Sequence, residues 1–380
     1  MSLVALIRRS FQRPWFPPLI LVAGTWLMYG LFPFPGFRRW DSLMTATVLH
    51  QWERVGLRQI FYFAHTLVIP ATRIVALIAP RLDPLVVVSL RETLLAGVNT
   101  ALLYGFLRQV TGLRSGAFVM ALASIFLHGR WLLVTHGEEK EMLLLLQLLL
   151  LRWGWLCLRE TSAGRTSPAL RSFRWEILGA LMALAVAVHL ENGLMVLTLA
   201  MVLVRDSFRK KFPWNILIRT GGMAFLLALA WFAWLIVGVN HIHTGAGAWR
   251  WLMEYHVTGE FFNVNPHLDD QALEAWKGFR RLLMGAQGEH GLLGLELMAG
   301  LTLTGLTVVR SWRRDPRSTT LALIFLGMMT LHFFYWLPWD PEQWLPVIPM
   351  GSGLILNAWG TFGRRFETLL FALTLVLAIA

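Results

Sequence analysis

The chain has one cysteine, Cys157, among 380 residues. No disulfide can close within it, so a disulfide scaffold is excluded and the redox compartment leaves no mark. Charge is scarce as well. Asp, Glu, Lys and Arg together make 15% of the residues against 56% hydrophobic ones, and the mean hydropathy is +0.56. That exceeds what a soluble domain of this size needs to bury, which leaves a polytopic membrane protein. No phosphate-cradling glycine loop, no serine on a nucleophile elbow and no Cys-x-x-Cys pair occurs, so none of those familiar chemistries has a foothold. No small-residue cleavage site follows the basic start at Arg8, Arg9 and Arg13, and the first apolar run therefore reads as an uncleaved span.

What is present is a series of apolar runs. Those at residues 17–34, 85–110, 115–134, 142–158, 220–240, 292–309, 319–337 and 345–359 approach the ~20 residues a helix needs to cross a bilayer. Residues 175–204 could be one long helix or two short crossings. The polar insert His189-Leu190-Glu191-Asn192-Gly193 at their middle favours a reversal between two short ones. Residues 366–380 form an unfinished apolar run that reads as a truncated C-terminus. The expected fold is all-α, a single transmembrane domain over residues 1–380 with about 10–11 spans. Nineteen Trp and 24 Phe suit repeated crossings of the interface, where indole rings settle.

Charge orients these spans. The segments expected on one side hold 21 of the 34 basic residues but 5 of the 22 acidic ones, as the positive-inside rule requires of a cytoplasmic face. The N-terminus is then cytoplasmic. The net charge of +12 reads as membrane orientation, and no nucleic-acid partner is expected. Short loops and the absence of targeting signals point to a bacterial inner (plasma) membrane.

Two long loops fall on the outer side, residues 35–84 and 241–291. In the first, residues 41–55 and 61–79 carry apolar positions at helical spacing with Arg54, Arg58 and Arg73 among them, the pattern of interfacial helices. Arg91 and Glu92 interrupt the second span, and such charges must face protein or a cavity. Acidic residues collect outside, at Asp41, Glu53, Glu138, Glu139, Glu141, Glu191, Asp269, Asp270, Asp340 and Glu342. A carboxylate near the bilayer surface suits taking a proton from a hydroxyl, or holding a divalent cation against a phosphate. Asp41 leads, directly after the first span and flanked by Arg38, Arg39 and Trp40. His241, His243 and His256 match no ligand spacing, so no metal site is assigned. A divalent cation is the one cofactor left open. Asp269-Asp270 reads as a helix start before residues 272–283.

These stretches carry a resemblance. A first span, an outer loop with an acidic residue in Trp40-Asp41-Ser42, two interfacial helices and the turn Ala64-His65-Thr66-Leu67 together resemble the GT-C superfamily of membrane glycosyltransferases. Protein O-mannosyltransferases and bacterial enzymes using polyprenyl-phosphate sugars belong there. Arg130-Trp131 with Thr135-His136-Gly137-Glu138-Glu139-Lys140-Glu141 is similar to the Glu-containing hairpin between the third and fourth spans. His189-Leu190-Glu191-Asn192 is similar to the polar turn after the fifth, and Trp344-Leu345-Pro346-Val347-Ile348-Pro349 to the late aromatic-Leu-Pro-x-x-Pro stretch.

The resemblance implies an inverting transfer of a sugar from a polyprenyl-phosphate carrier to an acceptor glycan, lipid or protein. Asp41 would be the general base, with Glu138 or Glu139 orienting it or the acceptor. Arg38, Arg39, Arg58, Arg73 and Arg130 would meet the phosphate, with His65, His189 and Trp344 completing the binding set. The sequence departs from the family pattern in lacking Pro-Pro after His65 and in having Gln343 before Trp344. A non-catalytic subunit of a membrane complex would show the same departures, and a transporter of lipids or solutes would use similar helices around groups at the bilayer midplane.

Overall fold

In the computed structural model the described residues are 12–33, 40–61, 66–163, 168–209, 213–252, 268–284, 293–335 and 344–360, with 340, 363, 366, 368, 369 and 372 as isolated positions. They form sixteen α-helices and no strand. The expected all-α polytopic membrane architecture is present. Of the about 10–11 spans expected, three helices among the described residues are by themselves long and apolar enough to cross, Pro84–Thr111, Lys140–Leu158 and Trp214–Val239, and one bent pair makes a fourth. Phe16–Leu31 and Leu345–Trp359 are apolar but shorter.

The helix α1, Phe16–Leu31, opens with Pro17 in its first turn, where a missing N–H leaves no bond unmade. Three helices follow in the first outer loop: α2 (Trp40–His50), α3 (Leu57–Ile60) and α4 (Val68–Ile78). They precede α5, Pro84–Thr111. Asp83 caps α5 by accepting from Leu85 N–H at 2.8 Å, Pro84 occupies its first turn, and Gly112 ends it in the left-handed conformation at φ 73°. α1, α2 and α4 all pack on α5. Ala46 and Leu49, a turn apart on α2, meet Val87 and Val88 of α5 in a small buried cluster. Gly97 lets α1 touch α5, since a Cβ there would lie 2.3 Å from Trp26 Nε1.

Residues 115–134, expected as one continuous span, are broken. α6 (Arg114–Ala123) passes through one tight turn to Phe126, and α7 (His128–His136) restarts at a bend of 60°. Leu127 between them is extended, at φ −66° and ψ 119°, and Gly129 lies so close to Leu282 that a Cβ would stand 2.7 Å from its Cα. α7 is therefore aimed at an outer helix instead of continuing α6. Gly137 then reverses the chain at φ 79° into α8, Lys140–Ala163.

The reversal expected at His189 is present, between α9 (Pro168–Val188) and α10 (Asn192–Phe208). α11, Trp214–Ala233, continues as a π-turn, Trp234–Val239. The second outer loop holds α12 (Gly245–Leu252) and α13 (Leu268–Met284), and α13 seats on α7. The chain closes with α14 (Leu293–Arg314), α15 (Pro316–Tyr335) and α16 (Ile348–Trp359). α8 is mostly buried and α11 mostly exposed, so α8 is an interior helix and α11 lies at the periphery of the bundle.

Candidate functional site

Two polar arrangements stand near the end of the helices that carries the residue 35–84 loop. The first is a groove of about 740 Å³ between the first outer loop and the end of α11, lined by Met44, Val48, Leu57, Arg58, Val239 and His241 among others. The π-turn and His241, at φ 54°, turn the chain sharply here. Carbonyls at a helix end lack partners in the helix, and Arg58 meets two of them: Nη2 donates to Asn240 O at 2.8 Å and Nε to Val239 O at 3.4 Å. The guanidinium is exposed in the groove and fixed at its root, and its third nitrogen, Nη1, makes no hydrogen bond among the described residues. Gln59 Oε1 accepts from Gly56 N–H at 2.7 Å and closes the small turn that presents Arg58. Below it, Phe61 packs edge-on to Trp231 and Trp234, and Trp231 Nε1 donates to Thr66 Oγ1 at 3.1 Å.

Asp41 lies in the first turn of α2, three residues before Met44 and seven before Val48. Its side chain, together with Arg38, Arg39 and His65, lies outside the described residues. Arg73 stacks over Trp52 at 5.0 Å on the same loop. A groove with an apolar floor and one anchored cation can hold a long apolar molecule that carries an anionic group.

The second arrangement is a buried ionic network behind the outer hairpin. Arg130 is 1% exposed. Its Nε donates to Glu141 Oε1 at 2.6 Å and Nη2 to Oε2 at 3.0 Å, a bidentate pair, while Nη1 donates to Ser124 Oγ at 2.9 Å and Thr100 Oγ1 at 3.2 Å. Asn99 Nδ2 also donates to Glu141 Oε2 at 2.7 Å. Glu141 N–H donates to Glu92 Oε2 at 3.0 Å, and Arg91 Nε to Glu92 Oε1 at 2.7 Å. Arg91 also donates to Thr72 Oγ1 and, at 3.4 Å, to Gly137 O. Two cations and two carboxylates thus neutralise each other out of water, the condition under which buried charge is tolerated. Arg130, a phosphate candidate on sequence grounds, spends its donors inside the protein.

The hairpin also meets the His189 turn. Lys140 Nζ donates to both carboxylate oxygens of Glu191 at 3.2 and 3.3 Å, and Glu191 N–H donates to His189 Nδ1 at 3.2 Å. Two stretches read separately in the sequence are therefore one assembly. Trp344 is buried against Phe279 at 6.1 Å. No group of three His, Cys, Asp or Glu side chains is placed to hold a metal among the described residues. Sequence reasoning noted Arg91, Glu92 and Glu141 but assigned them no role. The available signal was that charge within a span must pair, and a Glu at the start of the next apolar run is a natural partner.

Glu138 and Glu139 are each 2% exposed. Burial, opposed by Arg91 and Lys140 and reinforced by Glu191, holds the Glu139 carboxyl above the usual carboxylate range. The folded state then binds that proton more tightly than the unfolded chain does, so its contribution is present at low pH and is lost as pH rises through the raised value. Thermal melts should show stability falling with pH over that window, and Glu139→Gln should flatten the fall. An unchanged slope in the variant would refute this assignment.

No protein-family model matches the sequence, and no curated protein sequence matches it. Solved structures do match. ArnT of Cupriavidus metallidurans, bound to undecaprenyl phosphate, superposes with a TM-score of 0.59 at 13% identity, over 95% of this chain and 68% of that one. The Archaeoglobus fulgidus oligosaccharyltransferase in its apo form gives 0.58 at 12%, over 96% of this chain and 54% of that one. The chain has the GT-C fold. The same archaeal enzyme, AglB, in complex with an inhibitory peptide and a dolichol-phosphate gives 0.53 at 15%, over 97% and 56%. This chain therefore spans about half the length of the archaeal enzyme. Within that fold the groove is built from the first loop and the end of α11, and the buried network from α5 and the Arg130–Glu141 hairpin.

Proposed function

We propose that this chain is an integral-membrane glycosyltransferase that moves a sugar from a polyprenyl-phosphate carrier to an acceptor hydroxyl on the outer face of a bacterial inner membrane, its N-terminus cytoplasmic. The observation that carries the reading is the groove, in which one anchored cation, Arg58, stands at an apolar wall formed by the helix that bears Asp41. A polyprenyl phosphate has the matching chemistry, a long apolar chain ending in an anion. Two of the similar structures hold such lipids, undecaprenyl phosphate in one and a dolichol-phosphate in the other.

In this reaction the acceptor oxygen attacks the anomeric carbon from the face opposite the phosphate, and its proton passes to the Asp41 carboxylate. The bond from that carbon to the phosphate oxygen breaks, its electron pair leaves on the phosphate, and the configuration inverts. Arg58, aided by Arg38, Arg39 and Arg73, neutralises the departing charge, a role that needs placement more than covalent chemistry. Glu138 and Glu139 orient Asp41 or the acceptor from the hairpin, and His65, His189 and Trp344 support the binding surface. Arg91, Glu92, Arg130 and Glu141 are committed to one another, so those four buried charges are not spare for a transported solute, which favours the enzyme over a transporter.

The test is transfer of radiolabelled sugar from undecaprenyl-phosphate donors by the purified chain. Arg58→Gln removes a charge-assisted contact, and the KM for the donor should rise roughly 10- to 100-fold. No transfer from any such donor, by folded protein that still binds undecaprenyl phosphate, would refute catalysis and leave a non-catalytic relative.

A further inference from the structure

The transfer reading leaves one charged surface unused, at the far end of α10 from the His189 turn. α10 has two apolar faces. Met195, Leu199, Val202 and Leu203 are buried in the core, whereas Leu197, Met201 and Phe208 are 50%, 46% and 73% exposed. The exposed face forms an open groove of about 510 Å³ that ends at Arg205 and Arg209. An apolar face towards lipid is ordinary in a membrane protein. Here that face ends in Arg205 and Arg209, one helical turn apart.

Asp206, beside the groove, is buried. It accepts from Arg205 Nε and Nη2 at 3.1 and 2.8 Å and from Arg317 Nη2 of α15 at 2.7 Å. Two arginines thus pair with one carboxylate, and one positive charge stays uncompensated in the cluster. Arg205 is held in place by Asp206, Arg209 is exposed, and the sequence adds Lys210 and Lys211 directly after. Phe208 packs edge-on to Trp214 at 5.0 Å, and both rings are exposed, as aromatics at headgroup depth are. From Leu197 to Arg205 the helix rises ~12 Å, most of the ~15 Å hydrocarbon depth of one leaflet.

We propose that this groove binds an anionic phospholipid of the leaflet at the basic end of the helices, its phosphate between Arg205 and Arg209 and an acyl chain along Leu197, Met201 and Val204. A protein helix packed here would have to cover both arginines. A lipid headgroup neutralises them and stays in water. The site is distinct from the Arg58 groove and does not depend on the transfer reading.

Native mass spectrometry and thermal melts of the full chain in detergent, titrated with phosphatidylglycerol or phosphatidylcholine, test it. Phosphatidylglycerol should bind roughly tenfold tighter than phosphatidylcholine, with the difference shrinking in high salt. Arg205→Gln with Arg209→Gln should erase that preference. Arg209→Gln alone leaves the Asp206 cluster intact and should reduce it severalfold, which separates the effect from misfolding. Equal binding of both lipids, a preference unmoved by Arg209→Gln, the same stabilisation from inorganic phosphate, or a dimer that dissociates on Met201→Lys would each overturn the proposal.

Discussion

Asp41→Asn should lower kcat for sugar transfer by about 10²- to 10⁴-fold, the range lost when a positioned general base is removed. The amide has nearly the same shape as the carboxylate, so expression, melting temperature and donor binding should stay at wild-type level. Only the proton acceptor is gone. Asp41→Glu keeps a base on a longer stem and should retain part of the rate, which a purely structural role for the residue would not produce. The assay is single-turnover transfer from a radiolabelled polyprenyl-phosphate donor. A variant with wild-type kcat removes Asp41 from the mechanism. Since α2 packs on α5 through Ala46 and Leu49 and faces the groove through Met44 and Val48, either result also bears on the groove as the reaction site.

The largest stability effect should come from the pair Arg130–Glu141. Arg130→Met leaves the Glu141 carboxylate buried with Asn99 and no adjacent cation, and stranding a buried charge costs about 3–5 kcal/mol. Glu141→Gln strands the guanidinium instead. It still has Ser124 Oγ, Thr100 Oγ1 and Ala96 O as neutral acceptors, so this variant should lose less. With both substitutions no charge is stranded, and the double variant should be more stable than the sum of the single losses allows. Melting temperatures in detergent over the four proteins measure the coupling. Strict additivity would mean that the pair is not a unit and that the hairpin is held by other contacts.

Asp41 and Arg130 also mark where sequence reasoning could and could not reach. The helices were legible because their causes are local: apolar runs of span length and the polar turn at His189. The break between α6 and α7 was not. Gly129 needs to be close to Leu282, more than 150 residues later, and nothing in residues 115–134 announces a neighbour so distant.

The same division runs through the site. The sequence alone determined an all-α membrane protein and the segments in which carboxylates and arginines collect, since hydropathy and charge act along the chain. The role each of those arginines plays was decided only by tertiary structure. Arg58 and Arg130 are both cations near an apolar run. One meets the end of α11, 182 residues away, and stays exposed in a groove, while the other meets Glu141, 11 residues away, and is sealed inside. A charge in a membrane protein must find a partner or water, and which of the two it finds depends on how the helices are packed.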